Sequence, residues 1–374
     1  MKRFMRVLAL GLVASLLLSS AALAADTIKI GLQAPLTGKY ASEGLDMKNL
    51  VEILAAKVNA DGGVKGKKIE IIAEDDAFDP KTAALAAQRL VTSGVVAVIG
   101  TYGSSITEAA QDIYDEEDVI QIATGSTMVR LTEKGLENFF RTCPRDDSQG
   151  AAAAQVLKDR GYKRIAILHD NSSYAKGLAD ETRKRLDDNS VVFFDALNPG
   201  EQDYNTILTK IKGFNPDVIF FTGYFNEAGL LLRQKKEMKW DVAMMGGDAT
   251  NNLDLVKIAG NDAAKGFFFV SPPGVNDLTS PFAKEVLDTY KAKYNSLPAS
   301  IWSVFAGDAF LAIVEALRQT DSTDPEVLSE YLRNKMDNYP GLTGSIAFDN
   351  KGDRAGKFYR VSEVNADGEF VMLP

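Results

Sequence analysis

Val95-Val96-Ala97-Val98-Ile99-Gly100-Thr101-Tyr102-Gly103-Ser104-Ser105 begins with five apolar residues and ends in hydroxyls and glycine. Val95–Ile99 is too short for a helix and rich in β-branched residues, so it reads as a buried strand; a helix begins near Ser104. The same strand–loop–helix unit repeats in both directions. Upstream, Ile28, Ile30 and Leu32 alternate as a strand, Val51, Leu54, Ala55 and Val58 recur at helical spacing, and Ile69–Ala73 is strand again. Ala83, Ala86, Ala87 and Leu90 mark the next helical face, and downstream Val119–Ile122 is another strand. A second series runs through Ile165–Leu168, Val191–Phe194, Val218–Phe221, Val242–Met245 and Phe267–Val270, with helices over Ala175–Leu186, Tyr204–Lys212 and Glu227–Met238 between them. Strands alternating with helices predict an α/β fold: two doubly wound α/β lobes with right-handed connections.

Passages between the lobes are expected at Cys143–Asp147, at Ser271–Gly274 where two prolines block regular structure, and near Gly352–Gly356. Helices over Pro281–Tyr290, Ile301–Leu317 and Pro325–Met336 must then return to the first lobe, and a closing hairpin turns at Asp367-Gly368. Residues 25–144 with 273–353 form the N-terminal lobe on this reading, and 145–272 with 354–374 the C-terminal lobe, joined by a multi-strand hinge.

The chain has 374 residues, 45% hydrophobic and 25% charged, which suits two globular domains. A net charge of −9 argues against a nucleic-acid partner. One cysteine, Cys143, and one histidine, His169, exclude an intramolecular disulfide and a Cys/His zinc cluster, and leave His169 as the only imidazole base for a nucleophile. No phosphate loop, dinucleotide turn or nucleophile elbow is found, so neither a cofactor nor a metal is expected. Lys2, Arg3 and Arg6, the apolar run Val7–Leu18 and the ending Ala22-Leu23-Ala24 have the layout of a secretory signal cleaved after Ala24. Its removal takes three basic residues, changing −9 to −12, and no cysteine stands near the cleavage point to carry a lipid anchor.

Ligands of open α/β sheets lie beyond the carboxyl ends of the strands. That rule selects Thr101–Ser105 and Thr124–Thr127, including Ser104, Gly125, Ser126 and Thr127, in the first lobe. In the second it selects His169–Tyr174, Gly223–Phe225 and Gly246–Asp248. Hydroxyls and backbone N–H groups suit a carboxylate, whereas Asp248 with Tyr174 and Tyr224 suits an ammonium group, so a zwitterion held between lobes fits both. Ser104 and Thr127 are equally suited to capping helices, Asp248 to capping the helix near Asn252–Ile258, and the tyrosines to packing. His169 beside Asp170 reads as a hydrogen-bonded structural residue, and the doublets Asp75-Asp76 and Asp146-Asp147 are in principle able to make an acid/base pair, though nothing in the sequence establishes their separation.

Gly31–Gly38, Asn59–Lys68 and Glu74–Pro80, followed by Val98–Gly100 with Ser104-Ser105, Leu131-Thr132, Arg141-Thr142, Ser148–Gly150 and Ile167–Asp170 with Tyr174, resemble the periplasmic leucine/isoleucine/valine-binding protein family, in order over essentially the whole mature chain. The resemblance implies the type I periplasmic binding fold and a monomeric, non-enzymatic periplasmic receptor. Such a receptor captures an amino acid and delivers it to an inner-membrane ABC permease with its ATPase subunits. It places Ser104, Gly125 and Thr127 at the carboxylate, Tyr224 and Asp248 at the ammonium, and Tyr174 over the ligand. The branched-chain binders carry a disulfide where this chain has Phe78 and Gly103, a glutamate at Asp248, and an aromatic residue at Glu43. Tyr102 and Phe305 are then the remaining apolar wall. Glu43, in the glycine-flanked turn Gly38–Gly44, either reaches the ligand's side chain and favours a polar or basic ligand, or begins the following helix and points to solvent. The same fold would serve a sensing module; a periplasmic hydrolase is disfavoured by the missing nucleophile motifs.

Overall fold

A computed structural model describes residues 27–374, so the signal expected over residues 1–24 lies outside the described residues. The first sheet is built from β1 (Thr27–Ala34), β2 (Lys68–Asp75), β3 (Ala97–Ile99), β4 (Ile120–Ala123) and β5 (Phe139–Arg141). All its strands are parallel, in the order β2-β1-β3-β4-β5. Beyond Lys29, β1 is buried on both faces, as helices covering both sides of a parallel sheet require, and its one polar side chain there, Gln33, is satisfied by Ala83 O at 3.1 Å and the Tyr114 hydroxyl at 2.6 Å.

The second sheet contains β6 (Ile165–His169), β7 (Val191–Ala196), β8 (Val218–Phe221), β9 (Ala243–Gly246) and β10 (Phe268–Ser271). Its parallel part runs β7-β6-β8-β9-β10, the order of the first sheet shifted by five. Both halves therefore reverse strand order at corresponding points, between β1 and β3 and between β6 and β8, where α/β sheets open a ligand crevice. A short antiparallel pair, β11 (Tyr339–Pro340) with β12 (Ser345–Ile346), was not anticipated from sequence. The closing hairpin, β13 (Arg360–Val364) and β14 (Phe370–Met372), joins the second sheet antiparallel through β10. The helices Pro281–Tyr294 and Trp302–Thr320 pack on the helix Ala41–Ala60 of the first half, so the chain does return as its hydrophobic pattern required.

One expectation about local structure needs correcting. Glu43 is not in a turn: the helix Ala41–Ala60 has already begun and carries Glu43 in its first turn. Gly44 allows the early start, because a Cβ there would come within 2.1 Å of the Pro35 carbonyl oxygen. Nor does Glu43 point to solvent, since it is fully buried.

Charged side chains bind the crossing strands together. Arg141 at the end of β5 is fully buried and donates from Nε to Asp353 on the third passage. Arg145 adds a 2.6 Å bond to the same carboxylate. The backbone pairs in the same place: Arg141 N–H donates to Gly352 O at 3.0 Å, where any side chain would fail because a Cβ on Gly352 would lie 2.3 Å from Phe139 O. A second buried pair, Arg354 with Asp308 at 2.8 Å, fixes the next residue of that passage to the helix Trp302–Thr320.

Asp353→Ala is expected to lower the unfolding free energy by about 3–5 kcal/mol in denaturant titrations, the usual consequence of stranding one partner of a buried pair. Burial alone would raise the Asp353 carboxyl, but Arg141 and Arg145 outweigh it and hold the group below its ordinary value. With the folded-state value depressed, this contribution is complete above the unfolded carboxylate range, near pH 4, and lost as pH falls through the folded value. The wild-type-minus-variant difference should shrink in acid; a difference independent of pH would contradict the ionic account.

Candidate functional site

The loops after β3 and β4 zip together ahead of the first sheet. Tyr102 pairs with Gly125 as an isolated bridge, and Gly103 N–H donates to Gly125 O at 3.2 Å. Gly103 has φ +89°, and its missing side chain is replaced in space by Phe78: a Cβ would lie 2.5 Å from the ring. Phe78 thus holds the loop at the two positions that a disulfide joins in the resemblance. Behind the loop runs a chain of hydroxyls, Thr101 to Thr107 at 2.5 Å and Thr107 to Ser126 at 2.6 Å. Ser126 is therefore spent on holding the loop. Ser104 is the first residue of the helix Ser104–Glu116, so it does not cap it; its hydroxyl accepts from Met128 N–H at 3.2 Å. The hydroxyls of Thr124 and Thr127 are buried without a partner. These hydroxyls and the first-turn N–H groups of that helix, which have no intrahelical acceptor, make an anion-favouring surface.

Opposite stands the loop after β9. Asp248 opens a 3-10 turn and caps no helix, being 1% exposed. Its Oδ2 accepts from Tyr359 at 3.2 Å, while Oδ1 has no partner. Tyr174, whose hydroxyl accepts from Ala249 N–H at 3.3 Å, stands beside the same carboxylate with Gln149. Burial pushes the Asp248 carboxyl up to about 7, only partly offset by the nearby polar groups of Tyr174, Gln149 and Tyr359.

Sequence reasoning missed the role of a second acid. Asp146, the first residue of the helix Asp146–Asp159, is fully buried with both carboxylate oxygens unpartnered. Burial raises it strongly, and the charge of Asp248 raises it further. The doublet Asp146-Asp147 splits accordingly: Asp147 binds Arg145 at 2.9 Å, whereas Asp146 faces inward. In the other doublet, Asp75 ties down Leu36 N–H at 2.8 Å and Asp76 ties down Phe78 N–H at 2.9 Å, so both shape the loop beside Phe78.

Aromatic rings close the space between the loops. Tyr224 packs edge-on against Tyr40 at 5.3 Å, Phe78 at 5.1 Å and Tyr102 at 6.0 Å, and meets Tyr174 at 5.3 Å. Polar bonds cross between the two halves: Lys39 to Glu227 at 2.8 Å, Ser173 N–H to the Ser105 hydroxyl at 3.0 Å, and, fully buried, Asn252 to Glu43 at 2.7 Å. Glu43 also accepts from the Ser300 hydroxyl, and burial, which outweighs both bonds, raises its carboxyl to about 8. Phe305 lies further back, packing on Trp302 at 5.9 Å and sending its carbonyl to Thr142 at 2.9 Å. Trp302, which the sequence reading passed over as one more apolar helix residue, is the ring nearer the loop, 6.0 Å from Tyr102. His169 accepts from Asn171 N–H at 3.1 Å and packs on Phe194, away from these groups. Among the described residues no cluster of His, Cys, Asp and Glu could hold a metal ion.

The site thus joins an anion-favouring loop, two buried acids outside any ion pair and an aromatic enclosure. The model of the periplasmic binding protein family matches residues 27–369. The leucine-, isoleucine-, valine-, threonine- and alanine-binding protein of Pseudomonas aeruginosa is 36% identical over 353 residues, 93% of each chain. The Leu/Ile/Val-binding protein of Escherichia coli is 34% identical over 359 residues, 95% of each. Among solved structures, the branched-chain amino acid transporter substrate-binding protein of Streptococcus pneumoniae in complex with isoleucine has a TM-score of 0.85 at 29% identity, covering 93% of this chain and all of that one. A leucine-binding protein of Thermotoga maritima gives 0.86 at 28% identity, covering 93% of this chain and 98% of that one. Fold, residue order and these likenesses agree: the chain belongs to the periplasmic binding protein family, in the group of the leucine/isoleucine/valine-binding proteins.

Proposed function

We propose that this chain is a periplasmic solute receptor that captures an amino acid or a related small zwitterion between its lobes and delivers it to an ABC importer of the inner membrane. The observation that carries the reading is the pair Asp146 and Asp248, two buried carboxylates within electrostatic reach of each other and neither in an ion pair, in the same enclosure as the hydroxyls of Thr124 and Thr127. Two buried acids without a cation are costly, and an ammonium group arriving with the ligand compensates both. The relatives' names point to amino acids as the ligand class.

On this reading Ser104, Gly125 and Thr127 receive the carboxylate, Asp146 and Asp248 the ammonium, and Tyr174 and Tyr224 cover the ligand. Residues 25–144 with 273–353 and residues 145–272 with 354–374 move as lobes about the three passages. Residues 1–24 are the export signal, and the mature protein is a monomer without a lipid anchor. N-terminal sequencing of periplasmic material is expected to begin at Ala25; a retained Met1 would remove the export proposal.

Calorimetry on Asp248→Ala is expected to show amino-acid binding weakened roughly 100- to 4,000-fold with the fold intact, corresponding to about 3–5 kcal/mol. A change below about threefold would put the carboxylate outside the site.

Small-angle scattering should show a larger radius of gyration without ligand than at saturation, since the bonds from Lys39, Ser105 and Glu43 can form only with the lobes together. An unchanged radius would count against hinge closure.

A further inference from the structure

The enclosure contains two hydrogen-bond donors with nothing to donate to. The Tyr102 hydroxyl and the Trp302 indole N–H belong to residues each 1% exposed, and neither atom has a partner. Their rings lie 6.0 Å apart on different supports, Tyr102 on the loop after β3 and Trp302 at the start of the helix Trp302–Thr320. Gly125 keeps them close: a Cβ there would stand 2.4 Å from the Tyr102 ring and 3.5 Å from Trp302 Cε3. The Tyr102 hydroxyl lies within the electrostatic reach of both Glu43, whose oxygens receive Asn252 and Ser300, and Asp248.

An indole N–H can only donate, and a buried phenol without an acceptor keeps its desolvation penalty. Although Glu43 receives only Asn252 on one oxygen and Ser300 on the other, neither oxygen lies within hydrogen-bond distance of either group. An acceptor that enters with the ligand would satisfy both. Its charge is also constrained. Glu43 and Asp248 are the acids that act on Tyr102, whereas the buried guanidiniums are engaged, Arg141 by Asp353 and the carbonyls of Ser126 and Met128, Arg354 by Asp308. A carboxylate tip would meet acids and no free cation, a cationic tip would face an N–H, and an aliphatic tip would leave both donors bare.

We propose that Tyr102, assisted by Trp302, forms a second polar subsite for a neutral hydrogen-bond-accepting oxygen on the ligand's side chain, so that this chain selects an uncharged polar amino acid over an aliphatic one of similar size. The inference rests on the amino-acid reading above and narrows it.

Calorimetry with glutamine, asparagine, threonine, leucine, norvaline, glutamate and lysine tests it on wild type and Tyr102→Phe, a variant that keeps the ring and removes only the hydroxyl. At least one of glutamine, asparagine and threonine is expected to bind about tenfold or more tightly than leucine and norvaline, equivalent to 1.4 kcal/mol or more. Tyr102→Phe should weaken that ligand by about 5- to 50-fold more than it weakens leucine. A wild-type preference for leucine, glutamate or lysine over all three, or an equal loss for polar and aliphatic ligands in Tyr102→Phe, overturns the subsite while leaving the amino-acid reading standing. No binding of any member of the panel overturns the amino-acid reading as well, and leucine separates the two failures.

Discussion

The buried bond between Arg141 and Asp353 does two jobs at once, and the site depends on both. Through Asp353 it fastens the end of β5 to the third passage, the strand that crosses back towards the second sheet. Through Nη1 the same guanidinium holds the carbonyls of Ser126 at 3.0 Å and Met128 at 2.8 Å, fixing the shape of the loop that carries Thr127. Hinge and binding loop are thus set by one planar group. A lysine, with a single ammonium on a flexible stem, could not reproduce that fork.

The pair also decides the electrostatics of the cleft. Arg141 is close enough to lower the Asp146 carboxyl, but burial and the charge of Asp248 outweigh it. Arg354 is likewise engaged, by Asp308 and the Thr343 hydroxyl at 2.7 Å. With the buried guanidiniums of Arg141 and Arg354 committed to Asp353 and Asp308, neither Asp146 nor Asp248 is drawn into an ion pair. The same guanidinium of Arg141 therefore couples the third passage to the loop that carries Thr127.

How much of this could be read in the sequence follows from how local each signal is. Strands such as Val218–Phe221 and loops such as Thr101–Ser105 were legible because apolar runs and glycine–hydroxyl clusters are local patterns, and the crevice rule converts strand ends into site candidates. Asp146 was not legible, because an acid opening a helix is ordinarily a dipole-favoured surface residue. Only the Asp146 N–H bond to Thr127 O at 2.9 Å, across from the β9 loop, turns it inward. Trp302 was hidden for a related reason: in an apolar helix nothing distinguishes a ring that fills the core from one that meets a loop. Glu43 was visible as an oddity, yet its partners Asn252 and Ser300 lie far along the chain and no local pattern points to them.

On the proposed reading, the aromatic enclosure and the two acids act in opposition, and that opposition is what makes the ligand the switch. Bringing the lobes together buries Tyr224 against Tyr40, Phe78 and Tyr102 and forms the Lys39–Glu227 bond, all favourable. The same movement removes water from Asp146 and Asp248 while supplying no cation, which costs several kcal/mol unless a proton is taken up. An ammonium ligand cancels that penalty in the closed form and gains little in the open one, and it is this difference in affinity between the two states that sets how far the equilibrium shifts. A single acid would give a weaker penalty and hence a smaller shift, whereas a fixed cation beside the acids would stabilise closure with nothing inside. Two acids without a partner are the arrangement that keeps an empty receptor open and a loaded one shut.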